Sequence, residues 1–453
     1  MGVPGLLSEA RSQAKPETRQ RQSPIGERRL AGHLKTLAPW SNCRSLRMMW
    51  GKRTEARRGT YTFLTFVERA GQWLLHSTMT RLTSPLLPGR RPEFFQAVTH
   101  SRPDFTFGSL GGWYTVMLFL PEAPDRAAAA LRMLRAERDL FDDEDRVAFT
   151  VSRDEAAFLA LEPELPGIRH FHDPDGSIAD RFGVRASDGG TLGHWFLLDP
   201  SLRVVLAAPL ENSQPIFDRL RVAGPAENYA GVPMHAPVLI VPRVFEPGLC
   251  RTLIDCYRAD GGGPSGVMRE INGMTVGVLD GFKKRRDATI TDQALQSTIQ
   301  NRVFHNLLPE IERAFSFKAT RMERYIVACY SAEDGGYFKP HRDNTSKGTA
   351  HRRFACSINL NAEEFEGGDL RFAEFGKRTY RPPTGGAVIF SCSLLHEATP
   401  VTRGTRYAFL PFFYDDAAAK IREENARYIV PHENAPGTEP PADSPSEPRA
   451  ASV

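Results

Sequence analysis

The chain has few cysteines, and none of them lies at the spacing of a metal or redox motif. Six occur in 453 residues, no two form a Cys-x-x-Cys pair, and residues 81–249 contain none. This scarcity argues against a disulfide framework and against a structural zinc site. It also leaves residues 81–249 without the thiolate that a thiol peroxidase needs. A reducing, cytoplasmic setting is the expectation that follows.

Long apolar runs are missing as well. The longest uncharged apolar stretches, such as residues 113–120 and 386–390, have the length of strands, whereas a membrane-spanning helix needs about 20 residues. The N-terminus lacks the basic-then-apolar order of a secretory signal. The sequence therefore predicts no membrane partner.

A large excess of one charge is also absent. The chain has 58 Lys and Arg against 54 Asp and Glu, a net charge of +4, which argues against nucleic-acid binding by the chain as a whole. Residues 1–80 nevertheless hold 14 basic against 5 acidic residues. We expect them to be a basic, disordered extension. A nucleic-acid-binding arm remains an alternative, as does a native start at Met79, which would leave residues 1–78 outside the native product.

The length predicts two or three domains. Residues 81–228 alternate strand and helix patterns, which predicts an α/β domain. Its expected elements are a strand at 113–120, a helix at 123–140, a strand at 146–151, a hairpin at 194–198 and 203–210, and a helix at 214–222.

A second domain is expected over residues 229–430, after a proline-rich join at 232–237. Helices are predicted from Pro247 onward and over 291–315, and strands dominate from 319 to 416. The final residues, 431–453, are rich in Pro, Ala, Ser and Glu and predict a disordered tail.

Three side chains of this second domain form a candidate metal site. His341 and Asp343 are two residues apart, so on a strand they point to the same face. His396 follows 55 residues later, after several strand-and-turn units that allow an antiparallel barrel to bring it opposite the pair. Two histidines and one carboxylate are the ligand set of non-haem Fe(II) oxygenases.

An arginine follows the distal histidine at a fixed distance. Arg406 lies 10 residues after His396, on the next predicted strand. A buried arginine there needs a bidentate anion, and a ligand carboxylate is a fitting partner. Pairing with Asp415 or Asp416 at the surface is the alternative. Arg403 precedes a glycine turn and is expected to be more exposed.

Residues 320–416 resemble the prolyl-hydroxylase branch of the Fe(II)/2-oxoglutarate dioxygenases. The resemblance rests on "VACYSAEDGGYFKPHRDN", "RRFACSINLN", "EGGDLRF" and "HEATPVTRGTRYAFLPFFYDD". It implies a double-stranded β-helix (jelly roll) with supporting helices, and Fe(II) held by His341, Asp343 and His396.

The same resemblance implies the co-substrates and further site residues. It implies 2-oxoglutarate and O2 as co-substrates, with ascorbate as a further expected cofactor. Arg406 would hold the 5-carboxylate of 2-oxoglutarate, and Tyr330 would reach the same molecule. Asn359 stands where close relatives carry a tyrosine that contacts this carboxylate, so an amide contact is expected there.

Residues 81–228 resemble the thioredoxin-like fold, and its peroxiredoxin branch in "FHDPDGSIADRFGV" and "FLLDPSLRVV". The peroxidatic cysteine is missing, so a structural or binding role is expected. The overall prediction is an α+β multi-domain chain with a thioredoxin-like domain before the jelly roll.

The expected activity is hydroxylation of a protein or peptide side chain, prolyl favoured, coupled to decarboxylation of 2-oxoglutarate to succinate and CO2. The alternative is an iron- and 2-oxoglutarate-binding sensor or scaffold that docks partners through its thioredoxin-like domain. Repair of alkylated nucleic acid is disfavoured by the −5 charge of residues 81–453.

The basic run 283–286 is expected to be solvated surface, with an anionic-substrate or lid role as the alternative. Residues 268–282 are expected to form a loop covering the substrate.

Overall fold

The computed structural model describes residues 84–271 and 273–430. The expectations for residues 1–80, for a start at Met79 and for the tail at 431–453 lie outside this part. No helix among the described residues combines the length and the apolar character needed to cross a bilayer.

Residues 84–228, the N-terminal α/β region, are built around a five-stranded mixed sheet in the order β5-β4-β3-β6-β7. Strands β3, β4 and β5 run parallel, and β6 and β7 complete the sheet in antiparallel pairing. The elements are β1 (Gln96–Ala97), β2 (Phe105–Thr106), β3 (Tyr114–Phe119), α1 (Pro124–Ala136), β4 (Arg146–Ser152), α2 (Glu155–Leu159), β5 (Ile168–His172), α3 (Ser177–Phe182), β6 (His194–Leu198), β7 (Val204–Pro209) and α4 (Gln214–Arg221).

The central strand explains why this sheet has two covered faces. Every residue of β3 is buried. Met117 and Phe119 belong to one hydrophobic core, whereas Val116 and Leu118 belong to the other, because successive side chains of a strand point to opposite faces. The elements expected over 113–222 are all present, whereas β5, α2 and α3 were not anticipated. The thioredoxin-like assignment stays a prediction.

Residues 229–430, the C-terminal region, are rich in strands arranged as a ten-stranded sheet, a five-stranded sheet in the order β12-β16-β22-β19-β20, and the hairpin β10-β11. The elements are β8 (Leu239–Val241), α5 (Pro247–Asp260), β9 (Gly263–Pro264), β10 (Val267–Ile271), β11 (Met274–Val278), β12 (Lys283–Lys284), β13 (Arg286–Thr289), α6 (Gln293–Asn306), α7 (Leu308–Phe315), β14 (Arg321–Glu323), β15 (Ile326–Ser331), β16 (Tyr337–His341), β17 (Phe354–Asn359), β18 (Phe365–Gly367), β19 (Leu370–Arg371), β20 (Thr379–Tyr380), β21 (Ala387–Ser391), β22 (His396–Ala398), β23 (Val401–Phe409), β24 (Phe412–Tyr414) and α8 (Asp416–Asn425). A mixed α/β chain with a sheet-rich C-terminal region agrees with the jelly roll that the sequence implied.

Helices α5, α6 and α7 pack on the large sheet through a core that includes Leu253, Ile299, Ile311 and Phe409. The single helix expected over 291–315 is two helices. Leu307 lies between α6 and α7, and the first turn of α7 contains a proline, which cannot donate the backbone hydrogen bond that a continuous helix would need. The segment 268–282, expected to cover the substrate, is mostly the hairpin β10-β11, and its covering role stays a prediction.

The two regions meet beside the candidate metal site. Gly111 and Gly112 follow a short 3-10 turn and pack against residues 373–375, so a Cβ at Gly111 would lie 2.7 Å from Cγ of Glu374, and one at Gly112 would lie 2.8 Å from Cβ of Ala373. Gly112 also has a φ of 101°, a backbone angle that residues other than glycine rarely adopt. These glycines allow the N-terminal α/β region to pack closely against the backbone of Ala373 and the side chains of Glu374 and Leu395, the residue before His396.

Candidate active site

The structure brings His341, Asp343 and His396 together. Nε2 of His341 lies 3.6 Å from Oδ1 of Asp343, and Nε2 of His396 lies 3.3 Å from Oδ2 of the same carboxylate. One potential ligand atom from each residue lies within 4.8 Å of the others. This is the donor set that fits an Fe(II) ion with open coordination positions.

Strand pairing creates this convergence. His341 ends β16 and His396 begins β22, and the two residues are direct partners in the antiparallel pair. A register irregularity separates this pair from the Phe338 pairing in the same ladder. Asp343 follows β16, and its backbone N–H donates to the carbonyl of Cys392, which holds the carboxylate next to both imidazoles.

The hydrogen bonds of the two rings leave the correct nitrogen free for a metal. Nδ1 of His341 lies 2.8 Å from the carbonyl oxygen of Lys339, and Nδ1 of His396 lies 3.0 Å from that of Leu394. A carbonyl oxygen can only accept, so each Nδ1 carries a hydrogen and each neutral ring keeps a lone pair on Nε2. Both lone pairs are therefore on the nitrogens nearest Asp343.

Burial and charge set the protonation states that ligands require. Burial, assisted by His341, lowers the pKa of His396 to about 4, which keeps its ring neutral at pH 7. Burial alone would raise the pKa of Asp343, but the neighbouring His396 and His341 hold it below its usual range. The site thus holds one carboxylate and, at His396, a neutral imidazole.

Arg406 is buried on β23 and opens onto the same cavity as the triad. Its Nη1 donates to the carbonyl of Gly368 at 2.7 Å and its Nη2 to Oγ of Ser357 at 2.8 Å, while its Nε is buried without an acceptor. Within residues 84–271 and 273–430, no carboxylate forms an ion pair with it. Asp415 and Asp416 therefore do not neutralise it, and a buried guanidinium of this kind fits an incoming carboxylate. Arg403, by contrast, is exposed and pairs with Glu366.

Tyr330 lies beside Arg406. The two residues are partners in the β15-β23 pair, and Cζ of Arg406 lies 5.2 Å from the centre of the tyrosine ring. Tyr330 is buried and lines the cavity. The structure thus places Tyr330 beside Arg406 on the wall of the cavity.

Asn359 is not brought to the cavity. Its side-chain amide donates to the carbonyl of Pro382 at 2.9 Å, and its backbone N–H donates to Gly386. It is buried and absent from the cavity lining. Asn359 is the last residue of β17, and its side-chain amide binds the backbone of the loop that contains Pro382.

The basic run 283–286 is only half solvated, in contrast to the expectation of a solvated surface. Lys283 and Arg285 are buried and line the cavity, whereas Lys284 and Arg286 are exposed. Arg285 pairs with Asp287 at 2.6 Å and its Nη1 lies 3.4 Å from the hydroxyl of Tyr330. The period-2 geometry of strands explains the alternation, but four consecutive cations gave no sign of which two would be inside.

Arg342 was also missed by sequence reasoning, although it lies between two ligands. Its guanidinium donates to both carboxylate oxygens of Glu374, at 2.9 and 3.2 Å, and to the carbonyl of Ser393. It also lies 3.4 Å from the carbonyl of Gly108 and stacks 4.7 Å from the ring of Phe94. Arg342 therefore ties the metal-ligand segment to the N-terminal α/β region.

Glu374 is expected to be important for stability. Its side chain is 5% exposed and that of Arg342 is 7% exposed, so Glu374→Ala leaves a buried, uncompensated guanidinium. We expect the free energy of unfolding to fall by about 3–5 kcal/mol, measured by denaturant unfolding. Glu366→Ala removes the same type of residue from an exposed arginine pair and should leave the unfolding midpoint unchanged. Equal midpoints for both variants would contradict this account.

Comparison with known proteins assigns the segment that carries the site. Residues 325–414 match the family model described as the 2OG-Fe(II) oxygenase superfamily. A PKHD-type hydroxylase from Pseudomonas fluorescens is 35% identical over 113 residues, which are 23% of this chain and 47% of that protein. The chain therefore spans about half the length of this curated relative.

Two solved structures share low sequence identity with the chain. A prolyl-4-hydroxylase from Pseudomonas putida shares 18% identity over 42% of this chain and 96% of its own, with a TM-score of 0.32. A mitochondrial 2-Cys peroxiredoxin from Plasmodium falciparum shares 17% identity over 30% of this chain and 92% of its own, with a TM-score of 0.26. From the match at residues 325–414, which contains His341, Asp343, His396 and Arg406, we conclude that the chain carries a 2OG-Fe(II) oxygenase domain.

Proposed function

We propose that this protein is an Fe(II)- and 2-oxoglutarate-dependent dioxygenase that hydroxylates a C–H bond of a protein or peptide side chain, with proline favoured. One observation carries the proposal: the two-histidine, one-carboxylate set opens onto the same cavity as a buried arginine that has no carboxylate partner among the described residues. The hydroxylase activity is extended from the Pseudomonas fluorescens relative, and the preference for proline rests on the resemblance of residues 320–416 to prolyl hydroxylases.

Each residue has a defined task in this proposal. His341, Asp343 and His396 hold the metal through two Nε2 atoms and a carboxylate. Arg406 binds the 5-carboxylate of 2-oxoglutarate with guanidinium hydrogens that it does not use within the protein, and Tyr330 lies beside this contact. When bound, iron with 2-oxoglutarate and O2 supplies the oxidation, in which 2-oxoglutarate is decarboxylated to succinate and CO2 and one oxygen atom enters the substrate.

The protein's contribution to the reaction is binding, orientation and exclusion of water. Tyr330, His396 and Arg406 are all buried, so the charges in the site interact in a medium of low dielectric constant. Nδ1–H bonds to backbone carbonyls fix both imidazole rings before a metal binds. Preorganisation of this kind lowers the cost of ordering the ligands when the metal and 2-oxoglutarate arrive.

The proposal is tested by measuring succinate release from 2-oxoglutarate in the presence and absence of added Fe(II). We expect iron-dependent succinate formation by the purified full chain, and a further increase with proline-containing peptides that gain one oxygen atom by mass spectrometry. Binding of Fe(II) and 2-oxoglutarate with succinate at the background level would contradict the proposal. That outcome would instead favour a sensor or scaffold.

A further inference from the structure

Both regions of the chain form the walls of the cavity that contains the triad. Its volume is about 940 Å³, near the upper end of the roughly 300–1,000 Å³ typical of ligand sites. The C-terminal region supplies the metal ligands and Arg406. The N-terminal region supplies a surface that we call the α/β wall, which consists of Phe94, Phe95, Arg102, Asp104, Phe105 and Arg181.

The α/β wall is fixed to the oxygenase domain at two places. Nη1 of Arg269, on β10, lies 2.5 Å from Oδ2 of Asp104, and the same guanidinium also pairs with Asp280. The ring of Phe94 lies against the guanidinium of Arg342, next to the metal ligands. These contacts position the α/β wall relative to the candidate metal site, because Arg342 lies between His341 and Asp343 in the sequence.

The α/β wall carries positive charge that is not neutralised. Most other arginines at the cavity have a carboxylate within 4 Å; these are Arg269, Arg285, Arg324, Arg342 and Arg352. Arg102 and Arg181 have no acidic partner within residues 84–271 and 273–430. Nη1 of Arg181 donates to the carbonyl of Ser177, and its Nε is buried without an acceptor. The two guanidinium groups are thus available to an anion in the cavity.

Strand β10, which also lines the cavity, has an unpaired edge. Five consecutive residues, 266–270, line the cavity and include most of β10. Strand β10 pairs with β11 along one edge, and no other described strand pairs with it. The far edge of β11 is approached instead by Ile429 and Val430. An extended peptide can add to a free strand edge through main-chain hydrogen bonds, which favours a polypeptide over a small molecule.

We propose that the N-terminal α/β region is the specificity wall of the oxygenase, and that Arg102 and Arg181 bind an acidic side chain of a peptide substrate near its hydroxylated residue. The inference rests on the proposed function and deepens it. The peptide extends along β10, its target side chain faces the triad, and its Asp or Glu faces the α/β wall. The role of this region is then recognition, which requires no cysteine.

The test uses three matched sets of fluorescein-labelled, proline-containing peptides whose residues flanking proline are acidic, alanine or lysine. Binding to the full chain with Mn(II) and 2-oxoglutarate is measured by fluorescence anisotropy, and hydroxylation with Fe(II) by mass spectrometry. We expect acidic peptides to bind about tenfold more tightly than lysine peptides, because charge-assisted hydrogen bonds add to the attraction. The double variant Arg102→Glu/Arg181→Glu should reverse this order. Single alanine variants should each reduce the preference about threefold.

Arg203→Glu is the matched control, since Arg203 is an exposed arginine of the same region and does not line the cavity. It should keep the preference of the wild type. Thermal unfolding of every variant separates loss of recognition from loss of folding. Equal binding of the three peptide sets, a preference for lysine, or binding of none of them would overturn the inference. Succinate release by the wild type is scored separately, so failure of recognition is distinguishable from failure of the proposed function.

Discussion

Asp343→Ala is expected to abolish iron-dependent succinate release. The carboxylate lies between the two imidazoles, 3.3 Å from one Nε2 and 3.6 Å from the other, and no other acidic residue joins these histidines in the candidate metal group of the described residues. Loss of a residue outside the ligand set costs roughly 10–100-fold in metal affinity or activity. Loss of the only anionic ligand should therefore reduce succinate release by more than about 100-fold.

Loss of succinate release by Asp343→Ala must be traced to loss of metal binding and distinguished from loss of folding. The lowered pKa of Asp343 means that its charge is favoured in the folded state, so thermal unfolding without metal is compared between the variant and the wild type to separate loss of metal binding from loss of stability. Metal stoichiometry after dialysis against Fe(II) should fall well below that of the wild type. Asp334→Ala serves as a control because Asp334 is exposed in the loop before β16. Full succinate release by Asp343→Ala would remove the basis of the proposed function.

Arg406→Met is expected to raise the KM for 2-oxoglutarate by about 100-fold or more. Arg406 is 2% exposed, and its guanidinium lacks a carboxylate partner among the described residues. Hydrogen bonds to charged groups contribute about 1.5–3 kcal/mol each, so loss of two to the 5-carboxylate corresponds to roughly 10²–10⁴ in affinity. Methionine fills similar space without charge, but it also removes the donors to the carbonyl of Gly368 and the hydroxyl of Ser357, so thermal unfolding of the variant is measured together with its KM. Iron stoichiometry should remain that of the wild type.

Two control variants separate this contact from general effects on the sheet. Arg403→Met changes the same residue type on the same strand, but Arg403 is exposed and paired with Glu366. Asn359→Ala changes a residue whose amide is used by the carbonyl of Pro382. Both should keep the KM of the wild type. Calorimetric titration of 2-oxoglutarate with Mn(II) present measures the affinity directly, and a change below twofold for Arg406→Met would contradict the assigned role.

The convergence of His341, Asp343 and His396 could be predicted from sequence because its signal is local. His341 and Asp343 share one strand-end segment, and the His396-to-Arg406 interval fits one turn and one strand. Such spacings are set by strand geometry and vary little when the surroundings change. Asn359 was predicted by position alone, and position did not reveal that its amide is already bonded to Pro382.

The helix predicted over 291–315 is interrupted at Leu307, and the prediction missed this break. The apolar pattern continues through Leu307, but the proline that follows at 309 separates α6 from α7. Periodicity reports which face is buried, whereas the missing N–H of proline decides where a helix stops.

The sequence by itself determined the candidate metal group and the arginine that follows it, because those residues recur at short, regular spacings along two pairs of strand segments. Only the tertiary structure decided that Lys283 and Arg285 are inside while their neighbours are outside, that Arg342 joins Glu374 to Gly108, and that the N-terminal α/β region closes one side of the cavity. These contacts link residues up to 234 positions apart. Whether such distant groups meet depends on how two separately patterned regions pack, and no periodicity within either region encodes it.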